Sequence, residues 1–152
     1  MAGNQGRILA LDLGARRIGL ALSDELGWTA QGLPNLERRN LRADLDVLHN
    51  LIRERRVRLV ILGNPLHMSG DESAGSRHAA RFAGQLRRRA GVPVELWDER
   101  LTSREASRVL RSSGVSITKR AQAVDRLSAV LLLSGYLDYQ RARAEEAGLH
   151  RT

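Results

Sequence analysis

Short apolar runs near the start of the chain predict a group of strands. The runs at 7–13 and 18–23 are separated by turn-forming residues at 14–17, and together they predict a β-hairpin. A third run at 28–33 stops at Pro34, a residue that cannot donate a hydrogen bond to a neighbouring strand. We therefore expect three consecutive strands that pair in antiparallel fashion.

Longer segments with helical spacing alternate with strands in the middle of the chain. Asn40 can cap a helix over 41–56, and the residues that share its apolar face are Leu41, Leu45, Leu48 and Ile52. The β-branched run at 57–63 predicts a central strand covered on both faces. A helix at 73–90 and a strand at 92–97 follow, so the two strands are expected to run parallel.

The last third of the chain predicts two helices joined by a loop. Residues 102–105 have capping-box spacing and open a helix that ends near 111, while 112–122 lack periodicity and predict a mobile basic loop. The final helix covers 123–146 and is apolar in its first half. This order of elements predicts an α/β fold with a five-stranded mixed sheet flanked by helices.

Size and composition favour a single soluble domain. With 152 residues, 42% of them hydrophobic, the chain suits one domain over 1–152 with loose ends at 1–6 and 148–152. Cysteine is absent, which excludes disulfides and cysteine-bound zinc and favours the cytoplasm. The apolar segment at 8–13 is too short for a signal peptide or a membrane span, so no membrane partner is expected.

The charge of the chain points to a polyanionic partner. The formal net charge is +8, and most of the excess is arginine, whose planar side chain suits phosphate. A genome rich in arginine codons would produce the same excess. Aromatic residues make up only 3% of the chain, which argues against stacking of bases and favours contacts with the phosphate backbone.

Three acidic residues stand where elements are expected to meet one edge of the sheet. Asp12 lies near the end of a strand, Glu99 follows the last strand, and Asp125 is near the start of an apolar helix. In a sheet with the order 3-2-1-4-5, the first and fifth strands are two ladder spacings apart, about 10 Å. Two metal ions can bridge that gap and offset the repulsion between carboxylates. Oxygen ligands favour Mg²⁺ or Mn²⁺, and such a site can hydrolyse phosphodiester bonds.

Each of these acids also has a purely structural explanation. Asp12 could accept a hydrogen bond from the turn that starts at Gly14. Glu99 could pair with Arg100 or lie near the start of the following helix, and Asp125 could interact with the amino terminus of its own helix. Only their convergence on one edge of the sheet makes them a metal site.

Four blocks of sequence resemble one known family over almost the whole chain. They are ILALDLGARRIGLALSD at 8–24, VILGNPLHMSGDESAGSRHAARFAGQL at 60–86, DERLTSREA at 98–106 and AVDRLSAVLLLSGYL at 123–137. At these residues the chain resembles the YqgF family, also called RuvX or Holliday-junction-resolvase-like, of the RNase H-like superfamily. The resemblance implies an RNase H-like fold and matches Asp12, Glu99 and Asp125 to the acidic residues of the family.

The resemblance also implies a function. Family members are described as nucleases that mature the 5′ end of pre-16S ribosomal RNA, and some are proposed to resolve Holliday junctions. We therefore expect a metal-dependent endonuclease for precursor ribosomal RNA or branched DNA, and symmetric cutting of a junction would require a homodimer. Six basic residues are candidate phosphate contacts: Arg16, Arg17, Arg100, Arg104, Lys119 and Arg120.

Two other functions stay open at this point. A noncatalytic RNA-binding module would use the same fold and the same basic charge, and only the three acids argue against it. The segment at 12–24 also resembles the first phosphate loop of actin-like ATPases and sugar kinases. Those proteins need two such domains, and the length of this chain allows one.

Overall fold

The computed structural model describes residues 6–64, 74–98 and 117–150, and within the last range it describes the side chains of 127–148. These parts contain, in chain order, β1 (Arg7–Leu13), β2 (Arg17–Ser23), β3 (Ala30–Glu37), α1 (Leu41–Glu54), β4 (Val57–Asn64), α2 (Ala74–Ala90), β5 (Val94–Asp98) and α3 (Ile117–His150). The helix predicted from 102 to 111 lies outside the described residues. None of the described helices combines the length and hydropathy that crossing a membrane requires.

The five strands form one mixed sheet in the order β3-β2-β1-β4-β5, as the sequence predicted. β2 is antiparallel to both β1 and β3, whereas β4 is parallel to both β1 and β5. β1 is the middle strand, and β4 beside it is an inner strand buried on both faces, as its apolar run predicted. β1 owes this position to its two kinds of neighbour, a hairpin partner on one side and a crossover partner on the other.

β3 continues beyond Pro34, where the sequence predicted that it would end. Leu20 of β2 pairs with Leu33 of β3. Two positions earlier in β2, Ile18 pairs with Leu36, so β3 has one extra residue between these pairs. The extra residue forms a bulge in a strand at the edge of the sheet, and this is where a proline can be accommodated without losing a ladder hydrogen bond.

Side chains of β1 alternate between two apolar layers, one on each face of the sheet. Leu9 and Leu11 are fully buried in the layer that α1 and α2 cover. Ile8 and Ala10 are buried on the opposite face, which α3 covers. The residues of α3 in this second layer are Ala129, Leu132, Leu133, Tyr136 and Leu137. Burial of each leucine contributes about 1.5–3 kcal/mol to folding.

α1 begins at the predicted cap but buries a different set of residues. The side chain of Asn40 accepts a hydrogen bond from the backbone N–H of Ala43 at 2.9 Å. Leu41, which we expected in the core, remains 40% exposed. Asp44 is only 2% exposed, so the buried face of the helix contains an acid beside its leucines.

α3 starts earlier and ends later than the sequence predicted. Residues 117–122, which we expected to belong to a loop, are the first turns of this helix. They lack apolar periodicity, but Ala, Gln, Lys and Arg are good helix formers. The rest of the predicted loop, 112–116, lies outside the described residues. At the other end, the helix extends to His150.

Candidate active site

Asp12 lies in the sheet between two glycines. It is the sixth residue of β1 and pairs with Gly19 of β2. On the other side, Leu11 pairs with Leu62 of β4, so Gly63 is the next residue of β4 beside Asp12. Since neither glycine has a side chain, the half-buried carboxylate of Asp12 has space on both sides in an otherwise close-packed sheet.

The carboxylate of Asp12 belongs to the face of the sheet that α3 covers. Successive side chains of a strand alternate between faces, so Asp12 shares the face of Ile8 and Ala10, which pack against α3. Asp12 therefore stands at one end of the apolar layer that Ile8 and Ala10 form with α3.

β5 ends at the same edge of the sheet as β1. Gly63 pairs with Trp97, and the last pair of the ladder is Asn64 with Asp98. The Trp97 ring lies on the α3 face, because its centroid is 5.2 Å from that of Tyr136, with the two rings at 83°. Parallel strands therefore bring the ends of β1, β4 and β5 together, as the predicted strand order requires.

α3 includes the backbone of Asp125, the third predicted acid. Four residues later, Ala129 is fully buried against the sheet, and Leu132 continues the buried stripe. The side chain of Asp125 and the whole of Glu99 lie outside the described residues. Among the described side chains, which include neither Glu99 nor Asp125, no group of three potential metal ligands occurs.

The predicted phosphate contacts divide in the same way. Arg16 is exposed in the turn between β1 and β2, and Arg17 is half-buried at the start of β2. Both follow Asp12 closely in the chain. The other four candidates lie outside the described side chains. Arg100 and Arg104 are outside the described residues, and Lys119 and Arg120 belong to the part of α3 whose side chains are not described.

The turn after Asp12 is tight and depends on Gly14. The Gly14 N–H donates to the carbonyl of Arg17 at 2.8 Å. A Cβ atom at Gly14 would lie 2.6 Å from that same carbonyl oxygen, closer than side chains ever approach. The N–H of Gly14 is thus used within the turn.

An ion pair between Arg38, which precedes α1, and the buried Asp44 of α1 supports this turn, and we did not predict it. Arg38 donates from Nη1 to the Gly14 carbonyl at 2.9 Å and from its backbone N–H to the Arg16 carbonyl at 2.8 Å. The Nε atom of Arg38 is 3.6 Å from a carboxylate oxygen of Asp44. The other oxygen of Asp44 accepts the backbone N–H of Arg39 at 3.1 Å. The signal in the sequence was an acid four residues before Leu48, on the apolar face of α1.

Comparison with known sequences links the chain to one family. The profile of the RuvX family, described as "Holliday junction resolvase", matches residues 6–139. A protein of Koribacter versatilis (strain Ellin345) named "Putative pre-16S rRNA nuclease" is 52% identical over 141 residues, which cover 93% of this chain and 92% of the relative. A protein of Moorella thermoacetica with the same name is 45% identical over 132 residues, or 87% of this chain and 94% of that relative.

Comparison with solved structures supports the fold alone. The chain resembles Thermus thermophilus RuvC in complex with a Holliday junction substrate, with a TM-score of 0.56 and 16% identity. That match covers 89% of this chain and 96% of the RuvC chain. The shared architecture confirms the RNase H-like expectation for the sheet and its helices.

Proposed function

The chain belongs to the RuvX family, whose profile spans residues 6–139, and we propose that it is a nuclease that hydrolyses phosphodiester bonds in structured nucleic acid. In this proposal the substrate is precursor 16S ribosomal RNA, in agreement with the names of its relatives. A cytoplasmic enzyme fits a chain without cysteine.

The position of Asp12 is the observation that carries this proposal. Its carboxylate lies at the carboxyl end of the middle strand, between Gly19 and Gly63, on the face covered by α3. Open α/β sheets bind ligands outside the carboxyl ends of their strands. The two neighbouring positions without side chains leave space beside this carboxylate for a ligand.

Glu99 and Asp125 complete the site in this proposal. Trp97 of β5 packs on the α3 face, so alternation along the strand predicts the same face for Glu99. Asp125 precedes the buried Ala129 by four residues, a spacing that keeps two residues on one side of a helix. Both expectations direct these carboxylates towards the edge where Asp12 lies.

A divalent cation fits this set of donors. Asp12, Glu99 and Asp125 would supply only carboxylate oxygens, the ligands that Mg²⁺ and Mn²⁺ prefer. When bound, the cation would supply charge neutralisation and an activated water for hydrolysis. The role of the three acids would then be to hold the cation, and the exposed guanidinium group of Arg16, in the turn after Asp12, would contact the phosphate backbone.

Cleavage by an Asp12 variant tests the proposal. We would compare wild type, Asp12→Asn and Asp46→Asn on a precursor 16S rRNA fragment, with Mg²⁺, with Mn²⁺ and with a chelator. Asp46 is a matched control, because it is an exposed acid of α1 that pairs with Arg89 at 2.9 Å. We expect Asp12→Asn to slow cleavage by about a hundredfold or more, and Asp46→Asn to cleave like wild type. Cleavage by Asp12→Asn at the rate of wild type would refute the mechanism.

A Holliday junction resolvase is the second candidate function. It is favoured by the description of the family and by the similarity of the fold to RuvC. A four-way DNA junction in the same assay distinguishes the two substrates, and sedimentation of the protein on that junction tests the homodimer that symmetric cutting requires. Binding of either substrate without cleavage by wild type would instead favour a noncatalytic module.

A further inference from the structure

A second candidate site lies at the opposite end of the sheet from Asp12. A cavity of about 410 Å³ is lined there by Ile8 near the start of β1, Arg58 near the start of β4 and Arg141 of α3. Its volume is within the range of sites for small ligands. Ile8 precedes Asp12 by four residues, which corresponds to about 13 Å along the strand. The cavity is therefore separate from the proposed active site.

Several polar groups of this cavity can donate hydrogen bonds. Arg58 and Arg141 contribute two guanidinium groups, and Gln140 and Tyr136 contribute an amide and a phenol. The Nε atom of Arg58 is buried and has no hydrogen-bond partner among the described residues. Burial raises the pKa of Tyr136 and the nearby carboxylate of Glu95 raises it further, whereas Arg58 and a hydrogen bond with Gln140 lower it. Such donors match the oxygens of a phosphate group.

An exposed indole stands at the rim of the cavity. The guanidinium carbon of Arg141, which lines the cavity, lies 5.8 Å from the centre of the Trp28 ring. Trp28 is 61% exposed and the neighbouring Leu26, which also lines the cavity, is 80% exposed. Large apolar side chains at such exposure are suited to contact a ligand, and the flat face of an indole is suited to a nucleobase.

The turn that presents these side chains is held in one conformation. A carboxylate oxygen of Asp24 accepts the backbone N–H groups of Trp28 at 2.7 Å and of Thr29 at 2.9 Å. Gly27 has a φ of +74°, which other residues rarely adopt. The turn is thus organised before any ligand binds, which lowers the entropic cost of binding.

The charge around the cavity favours a polyanion. Three further arginines lie at the same end of the strands, at the start of β1 and just before β4: Arg7, Arg55 and Arg56. Two acids lie near these groups: Glu95 acts on Tyr136, and Asp138 pairs with Arg141 at 2.5 Å, with its side chain 71% exposed. An ion pair at such exposure contributes little, so a phosphate can share or replace this contact.

We propose that this cavity binds one nucleotide of a single-stranded RNA segment that flanks the cleavage site, with its phosphate on Arg58 and Arg141 and its base on Trp28. The proposal rests on the proposed nuclease function for the choice of RNA. One exposed tryptophan is sufficient for one base, so the low aromatic content of the chain is no obstacle. The site would anchor the substrate at a distance from the acids.

Binding without divalent cations tests this site independently of cleavage. We would measure the affinity of the full chain for a labelled single-stranded RNA of about ten nucleotides by fluorescence anisotropy in the presence of a chelator, over a range of salt concentrations. The variants are Arg58→Gln, Arg141→Gln and Trp28→Ala. Arg81→Gln is the matched control, since Arg81 is exposed on α2, across the sheet.

We expect Trp28→Ala to weaken binding by about tenfold, because the base loses its stacking partner. Each arginine variant should weaken binding and reduce the slope of log affinity against log salt concentration by about 0.7. Arg81→Gln should retain the affinity and the slope of wild type. Equal losses for Arg81→Gln, or wild-type affinity for Arg58→Gln and Trp28→Ala, would overturn the proposal. Thermal melting verifies that Arg58→Gln is folded, and Trp28→Ala alters an exposed side chain in any case.

The same measurement separates this proposal from the proposed function. If wild type cleaves no substrate but the three variants still lose affinity, the nuclease function fails and the nucleotide site stands. If cleavage depends on Asp12 but the three variants bind normally, the nucleotide site fails alone.

Discussion

Arg38 donates a hydrogen bond from Nη1 to the carbonyl of Gly14 at 2.9 Å, and so connects the start of α1 with the turn that follows Asp12. The same guanidinium group lies 3.6 Å from Asp44, a carboxylate that is almost completely buried. Arg38 and Gly14 are 24 residues apart in the sequence, so these contacts hold the loop beside the proposed site through tertiary structure. Their removal should therefore affect both stability and the position of that loop.

Arg38→Met should lower the free energy of unfolding by about 2 kcal/mol, because Asp44 would stay buried without its cation. The arginine is partly exposed, so the loss is smaller than for a fully buried pair. Urea denaturation measures the effect. Arg42→Met, an exposed arginine of α1, is the control and should change stability by less than about 0.5 kcal/mol. Equal stability of both variants would mean that water replaces the pair without cost.

Gly14→Ala should destabilise the protein by about 1–3 kcal/mol, because its Cβ would lie 2.6 Å from the Arg17 carbonyl and the turn would have to open. Gly135→Ala is a matched control in α3, where an added Cβ meets nothing within 4 Å. There we expect a gain of about 0.5–1 kcal/mol, since alanine favours a helix over glycine. Thermal unfolding of the two variants should shift in opposite directions, and a shift in the same direction would contradict this account of the turn.

Mn²⁺ should stabilise wild type but not Asp12→Asn. A ligand that binds only the folded state at about a hundred times its dissociation constant adds about 2.7 kcal/mol to the free energy of unfolding. Thermal melting with and without Mn²⁺ measures this gain. Asp46→Asn serves again as the control, because it leaves the three proposed metal ligands unchanged. A full Mn²⁺ response in Asp12→Asn would show that the cation binds elsewhere.

The stability contributed by Asp24 should disappear in acid. Hydrogen bonds from the backbone N–H groups of Thr29 and Trp28 hold the pKa of Asp24 below its ordinary value of 3.8, against a smaller opposing effect of burial. Its folded pKa is lower than its unfolded pKa, so the stabilisation is present above about pH 4 and is lost as the pH falls through the folded pKa. The stability difference between wild type and Asp24→Asn should shrink over that range. Direct NMR titration of the Asp24 carboxyl group would contradict this if its pKa were above 3.8.

Local patterns were sufficient for most elements of the fold. Alternation and a turn predicted the hairpin of β1 and β2, and the side chain of Asn40 marked the start of α1. The ends of elements were less certain. β3 passes through Pro34 because an edge strand tolerates a bulge, and α3 starts at Ile117 because helix propensity there does not show as apolar periodicity.

The candidate active site was predictable in part, for a related reason. Strand ends and helix starts identified Asp12, Glu99 and Asp125 as candidates, since acids are unusual in apolar runs. The space beside Asp12 could not be predicted from the sequence, because Gly19 and Gly63 become its neighbours only through two different strand pairings. The convergence of the three acids stays a prediction.

The amino-acid sequence alone was thus enough to identify most of the strands, the three candidate acids and the family, because each depends on neighbours in sequence or on short motifs. Only the folded chain revealed the Arg38 and Asp44 pair and the cavity between Arg58 and Arg141. The two arginines of that cavity belong to a strand and a helix far apart in the chain. Such sites depend on how elements pack across the sheet, and the periodicity of a single element carries no information about its distant partner.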